Sequence, residues 1–241
     1  MGLPTLATPK YELKIPSTGE IIEYRPFLVK EEKILLMANE SKNDREQIRA
    51  MKQIIENCTF GKVNLDTLAS FDIEYLFLKL RSKSVGETVE IGLRCDKCEN
   101  SCPVKINLDD IEVKFNSKMT NRIKLTDNVG VLMRYPNYDD MIKLSDLQKE
   151  QSETNSKGMI EFVAGCIEKI YDDKQVYNTS DFSLKEVVEF MDQLSQVGLR
   201  KIMEFFEHMP SLEKQVNTKC EKCGKETEVL LKGTQSFFQS A

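Results

Sequence analysis

Apolar residues recur along this chain with two periods, and the order of the periods gives the first outline of a fold. YELKIPSTGEIIEYRPF (11–27) contains two alternating runs around Pro-Ser-Thr-Gly, which is turn chemistry, and predicts a β-hairpin. From Lys30 the period lengthens. In KEEKILLMANES the residues Ile34, Leu35, Met37 and Ala38 fall on one helical face, and Glu31 and Glu32 suit the positive end of the helix dipole. NDREQIRAMKQIIENC predicts a second helix through Ile48, Met51, Ile54 and Ile55. A third helix, over about 66–83, is apolar across a wide arc that includes Leu68, Phe71, Leu76, Leu78 and Leu80, which suits the centre of a core.

Gly86 then releases the chain into TVEIGLR, a period-two run, and PVKINLDDIEVKF is strand-like again. IKLTDNVGVLMRYP predicts another hairpin around Asp-Asn-Val-Gly, and a helix follows over 137–149. QKEQSETNSKG has no apolar residue and reads as a flexible linker. It divides the chain into an N-terminal region 1–149, a linker 150–158 and a helical region 159–241. MIEFVAGCIEKIY, SLKEVVEFMDQL and GLRKIMEFFEHM predict three helices, the last stopped by Pro210. EKQVNTKC and ETEVLLKG return to strand. The order β, α, β, α, β predicts an α+β fold, with helices packed on small β-hairpins, rather than an alternating doubly wound sheet.

The chemistry is concentrated in two near-identical turns, RCDKCENSCPV (94–104) and KCEKCGKETEV (219–229), with 121 residues between Cys98 and Cys220. Zinc binds thiolates tetrahedrally, and a C-x-x-C turn aims two sulfurs at one point; structural sites use two such turns. Cys95, Cys98, Cys220 and Cys223 are therefore the expected ligands of a structural zinc in a split, zinc-ribbon-like pair of hairpins. Cys102 stands as an alternative ligand. Gly224 follows the second pair where the backbone must turn, while the first has Glu99 there. Loop closure costs grow only logarithmically, so a clip over this span is physically reasonable.

Other readings of the cysteines fare worse. A thioredoxin-like site opens a helix, whereas both turns here lead into strands, and Asp96, Glu99 and Glu221 are expected to raise thiolate pKa. A catalytic zinc keeps an open position and usually uses histidine, yet the chain has one histidine, His208, placed as a helix C-terminal cation. Cys58 and Cys166 lie on apolar helical faces and read as core.

Composition narrows the classes. With 241 residues, 40% hydrophobic and 30% charged, the chain can bury a core without metal. No apolar run reaches the roughly 18–20 residues of a membrane span, and the start MGLPTLATPKYELK lacks the pattern of a secretory signal. Seven cysteines, an odd number, point to a reducing interior rather than a disulfide framework. A net charge of −5 argues against nucleic acid. A nucleic-acid-binding zinc ribbon nevertheless stands as the alternative function. Arg94, Lys97, Lys105, Lys219, Lys222 and Lys225 could form a basic stripe, though carboxylates interleave. No phosphate-binding, dinucleotide, nucleophile-elbow or zincin motif occurs, so no catalytic residues are expected. Phe237 and Phe238 in the tail QSFFQSA, and Arg25 and Phe27 in YRPFLVKEEKILL, are the candidate partner contacts, against simple packing and solvated ion pairs.

YRPFLVKEEKILLMA (24–38) and FDIEYLFLKLRSKSVGE (71–87), with the C-x-x-C that follows and the CEKCGKETEV near the end, resemble the baseplate hub subunit or hub assembly protein family of T4-like contractile-tailed bacteriophages. The resemblance implies a non-enzymatic protein that helps build the central hub of the tail baseplate. It implies other hub proteins as partners, with neither a small-molecule substrate nor a membrane. The setting would be the infected bacterial cytoplasm during assembly, with the virion baseplate as a further destination if the protein is a hub subunit rather than a chaperone.

Overall fold

The computed structural model describes residues 6–41, 44–117, 119–149 and 154–238. It is α+β: antiparallel hairpins and small sheets against helices. Contacts divide the chain into two units, residues 1–114 with 211–241, and residues 115–210. The chain leaves the first unit at Lys114 and returns at Ser211, and these two residues pair across neighbouring strands.

Unit 1 opens with the hairpin β1 (Tyr11–Lys14) and β2 (Ile21–Tyr24), turned at Gly19 with φ 74°. Helices α1 (Val29–Ser41), α2 (Asp44–Cys58) and α3 (Ser70–Val85) follow. The third begins four residues later than its apolar arc suggested, because Leu65 and Leu68 are buried from a turn that precedes it. Its arc is central as expected: Ile73, Leu76 and Leu78 are fully buried. Asp72 on α3 accepts the Ser17 N–H at 2.9 Å and its hydroxyl at 2.5 Å, tying the first hairpin to the helix.

Next come the hairpin β3 (Thr88–Arg94) and β4 (Ser101–Asn107), then β5 (Glu112–Lys114). After unit 2 the chain adds β10 (Ser211–Lys219), β11 (Glu226–Lys232) and the one-turn α8 (Gln235–Phe238). The second sheet runs β11-β10-β5. Leu78, Ile91, Ile106, Ile111, Leu212, Leu231 and Phe237 form one core in which both hairpins meet α3. Lys79 reaches from α3 to the carbonyls of Leu108 and Asp109, at 3.2 and 2.7 Å, so this buried ammonium satisfies the turn after β4.

Unit 2 is a four-stranded antiparallel sheet, its strands in chain order, with helices on it. β6 (Arg122–Lys124) and β7 (Gly130–Met133) form the expected hairpin, and α4 (Tyr138–Lys149) follows. Of the segment expected as a linker, residues 150–153 lie outside the described residues, and Thr154 already opens α5 (Thr154–Gly165). MIEFVAGCIEKIY is not one helix. α5 ends at Gly165, and Ile167–Tyr171 is strand β8, paired to β7 through Val131↔Ile170. Ile167 and Ile170 are β-branched, and their side chains satisfy the sheet once β7 is there to receive them. β9 (Val176–Asn178) completes the sheet. Then α6 (Leu184–Met191) starts from a capping box of Ser183 and Glu186, and α7 (Gln196–Glu207) from a Ser195 cap. Val131, Met133, Val163, Cys166, Ile202 and Phe205 are the heart of this core.

The two units repeat one device. In unit 1, Arg25 just after β2 bonds Glu31 six residues on, with Nη2 to Oε1 at 2.9 Å, and Leu28 donates its N–H to the same carboxylate at 2.9 Å. In unit 2, Arg134 just after β7 bonds Asp140 at 2.7 Å, and the Asn137 N–H reaches it at 3.0 Å. Each arginine also donates to the carbonyl of the next residue, and its own N–H goes to a cysteine carbonyl, Cys58 or Cys166, at 3.0 and 2.9 Å. Strand, clasp, helix, helix and buried cysteine thus recur in order.

Candidate metal centre

The register of β3 with β4 places Arg94 opposite Ser101, and that of β10 with β11 places Lys219 opposite Glu226, so each hairpin closes through a six-residue loop. The loops are built alike. Cys95 donates its N–H to the Asn100 carbonyl and Cys220 to that of Lys225, at 2.9 and 2.8 Å. Glu99 and Gly224 each donate back to the first cysteine's carbonyl at 2.8 Å. Both sit in the left-handed region, at φ 57° and 69°. Glycine adopts it without strain; a residue with a Cβ does so at a cost of about 1–2 kcal/mol.

The two loops face each other. Cys95 Sγ lies 3.7 Å from Cys223 Sγ and Cys98 Sγ 3.5 Å from Cys220 Sγ, and all four sulfurs lie within 4.8 Å of one another. A disulfide would need about 2.05 Å. Four thiolates at 2.3 Å from one zinc would stand about 3.8 Å apart, so the set fits a single ion. The spacing lets one ion reach all four sulfurs, and an all-sulfur donor set is the kind used by closed structural sites. Cys95 and Cys220 are buried, and Cys98 and Cys223 are half-buried. Cys102 is buried against this group from β4.

The electrostatics favour thiolates at Cys95 and Cys220. Backbone N–H groups of Lys97 and Cys98 hold Cys95 below its ordinary value. The Cys223 N–H, with smaller help from the Cys98 thiol and the Lys222 N–H, brings Cys220 down to about 6. The acidic neighbours expected to raise these thiols are outweighed: Asp96 is engaged by Lys225 of the opposite loop at 2.6 Å. Cys98 receives the Asn100 N–H yet is pushed up to about 12, by burial and by the sulfurs of Cys220, Cys223 and Cys95. A cation among the four would remove that opposition.

The other sequence candidates fall elsewhere. Arg25 is 7% exposed in its side chain and committed to Glu31, so it is neither a solvated ion pair nor a surface contact. Phe27 is half-buried, its ring centroid 5.8 Å from that of Phe77. Phe237 is fully buried in the unit 1 core, which takes it out of the set of exposed anchors. The Phe238 side chain lies outside the described residues. Sequence reasoning missed the clasps, although Arg25/Glu31 and Arg134/Asp140 share a six-residue spacing that could have signalled them.

The fold and site define a class: an α+β protein whose two hairpin loops bring four cysteines to one point, without the mixed donor set of a catalytic metal. The chain belongs to the T4 bacteriophage base plate protein family, which matches residues 8–239. It is similar to the baseplate hub assembly protein gp26 of Enterobacteria phage T4, 24% identical over 232 residues that cover 95% of this chain and 98% of that protein. No solved structure matches the chain. Among the described residues no helix is long and apolar enough to cross a membrane.

Proposed function

We propose that this protein is a non-enzymatic component in the building of a phage tail baseplate hub, acting through contacts with other hub proteins in the host bacterial cytoplasm. The observation that carries the reading is the nearly end-to-end correspondence with a hub assembly protein. A structural zinc on Cys95, Cys98, Cys220 and Cys223 belongs to the same proposal, supported by the convergence of the four sulfurs. Its task is mechanical. The ion joins the hairpin that precedes the 115–210 unit to the one that follows it, and structural zinc binding is folding free energy.

Quantitative mass spectrometry of purified virions beside tail-assembly intermediates tests the role. A fixed whole-number copy in both makes the protein a hub subunit, presence only in intermediates makes it an assembly chaperone, and absence from both refutes the proposal. Metal analysis of protein purified without chelator tests the zinc, with one ion per chain expected and none refuting it.

A further inference from the structure

Unit 2 carries a surface groove that neither the thiolate centre nor the clasps use. Ile170, Tyr177, Phe182, Val187 and Phe190 line it between the β8–β9 hairpin and α6, with a volume of about 390 Å³. Phe182 in its lining is 44% exposed, so part of the groove's apolar wall is open to solvent. The charged side chains on its wall are Asp172 and Glu186, and no cation lines it.

Both carboxylates are fixed in place. Asp172 accepts the N–H groups of Lys174 and Gln175 at 2.8 Å each and the Tyr177 hydroxyl at 3.1 Å. Glu186 accepts the Ser183 N–H at 2.8 Å and its hydroxyl at 2.7 Å. Those N–H bonds hold both carboxyls below the ordinary range, so both are charged at neutral pH. The wider field has the same sign: residues 115–210 hold 16 Asp and Glu against 12 Lys and Arg, while unit 1 is nearly balanced at 23 against 22.

We propose that this groove docks a protein segment bearing a large apolar side chain next to lysine or arginine. The inference deepens the assembly reading and rests on it, because it gives the chemistry of one partner. An apolar anchor in a walled pocket supplies binding energy, and the acidic wall selects a basic neighbour and penalises an acidic one. A second copy using the same face is a poorer occupant, since a two-fold pairing would set carboxylates against carboxylates.

The test is an NMR titration of the full chain as purified, following the methyl groups of Ile170 and Val187. The probes are the blocked peptides Lys-Lys-Phe-Lys-Lys, Lys-Lys-Ala-Lys-Lys and Glu-Glu-Phe-Glu-Glu. The first should give saturable shifts at the groove, with the other two silent at equal concentration. Phe182→Ala should weaken the first by roughly five-fold or more, as removal of an anchoring contact does. Glu186→Gln, which keeps a capping-box residue, should weaken it by roughly two- to five-fold, the scale of one exposed charge. Unchanged amide spectra would show that both variants fold. Silence of the first peptide, equal response to the acidic one, or shifts confined to other surfaces would overturn the proposal. So would self-association of the chain that Phe182→Ala abolishes, which would assign the groove to a second copy. Copy number in tails is measured independently, so failure here leaves the hub reading standing, and failure there leaves the titration result intact.

Discussion

Arg25→Met isolates a buried charge and shows how strongly the clasp of unit 1 is coupled. The Glu31 side chain is 0% exposed and that of Arg25 7%. The carboxylate takes Nη2 at 2.9 Å, Nη1 at 3.3 Å and the Leu28 N–H at 2.9 Å. Methionine keeps much of the stem volume but leaves the carboxylate with the Leu28 N–H and the exposed Lys30 ammonium, 3.6 Å away. Breaking such a pair from one side costs about 3–5 kcal/mol. Glu31→Gln strands the guanidinium instead and costs a similar amount, whereas the double variant removes both charges and should lose only about 1–2 kcal/mol beyond either single change. A urea double-mutant cycle at pH 7, read on the unit 1 transition, should thus give a coupling of about 1–4 kcal/mol. Burial alone would raise the Glu31 pKa, but Arg25 and the Leu28 N–H together hold it low. A depressed folded pKa means stability that is present above the unfolded value near 4.3 and lost as pH falls through the folded one. The gap between wild type and Arg25→Met should therefore narrow as pH falls below about 4.3, the unfolded carboxylate value. A loss below about 1 kcal/mol at pH 7, or strictly additive single changes, would refute the reasoning.

Glu99→Gly relieves a left-handed residue at the cost of some chain entropy, and a gain of about 0.5–1 kcal/mol in urea stability is expected; no gain would mean that the first loop is not under strain. Cys220→Ser should abolish metal binding and lower Tm, while Cys102→Ser should retain one zinc per chain by mass spectrometry under native conditions, and loss of metal in the latter would move Cys102 into the ligand set. Phe237→Ala hollows the core where α8 meets both hairpins and should cost about 3–5 kcal/mol, measured by denaturant unfolding; a near-neutral result would place this phenylalanine outside the stabilising core.

Some of the fold was plain in the residues themselves. The 11–27 hairpin, the central α3 and the two matching cysteine turns all follow from patterns a few residues long. Gly224 even marked the left-handed position that Glu99 occupies in the other loop. The α5–β8 boundary was not legible, because Ile167 and Ile170 stand three apart, a helical spacing, and both meet one face of β7 only through an irregularity in the pairing, where Val131 faces Ile170 and Met133 faces Ile167. The β8–β9 hairpin was missed for a related reason: its turn rests on the Asp172 side chain bonding to Lys174 and Gln175, a weaker signal than Asn-Gly.

Charge and exposure were harder still. Arg25, Glu31 and Phe237 carry no local sign of burial; an arginine beside lysines and glutamates reads as surface, and a phenylalanine near the end of the chain reads as a free anchor. The sequence by itself determined the local periods, the turn chemistry and the thiolate donor set, because each depends on neighbours within one turn or strand. Only the tertiary structure decided that residues 1–114 and 211–241 form one unit, that the two cysteine loops converge, and which charges and rings are buried. The first two outcomes depend on contacts across more than a hundred residues, and the burial of charges and rings on how the elements pack around them, so both are governed by the whole packed core rather than by any one segment.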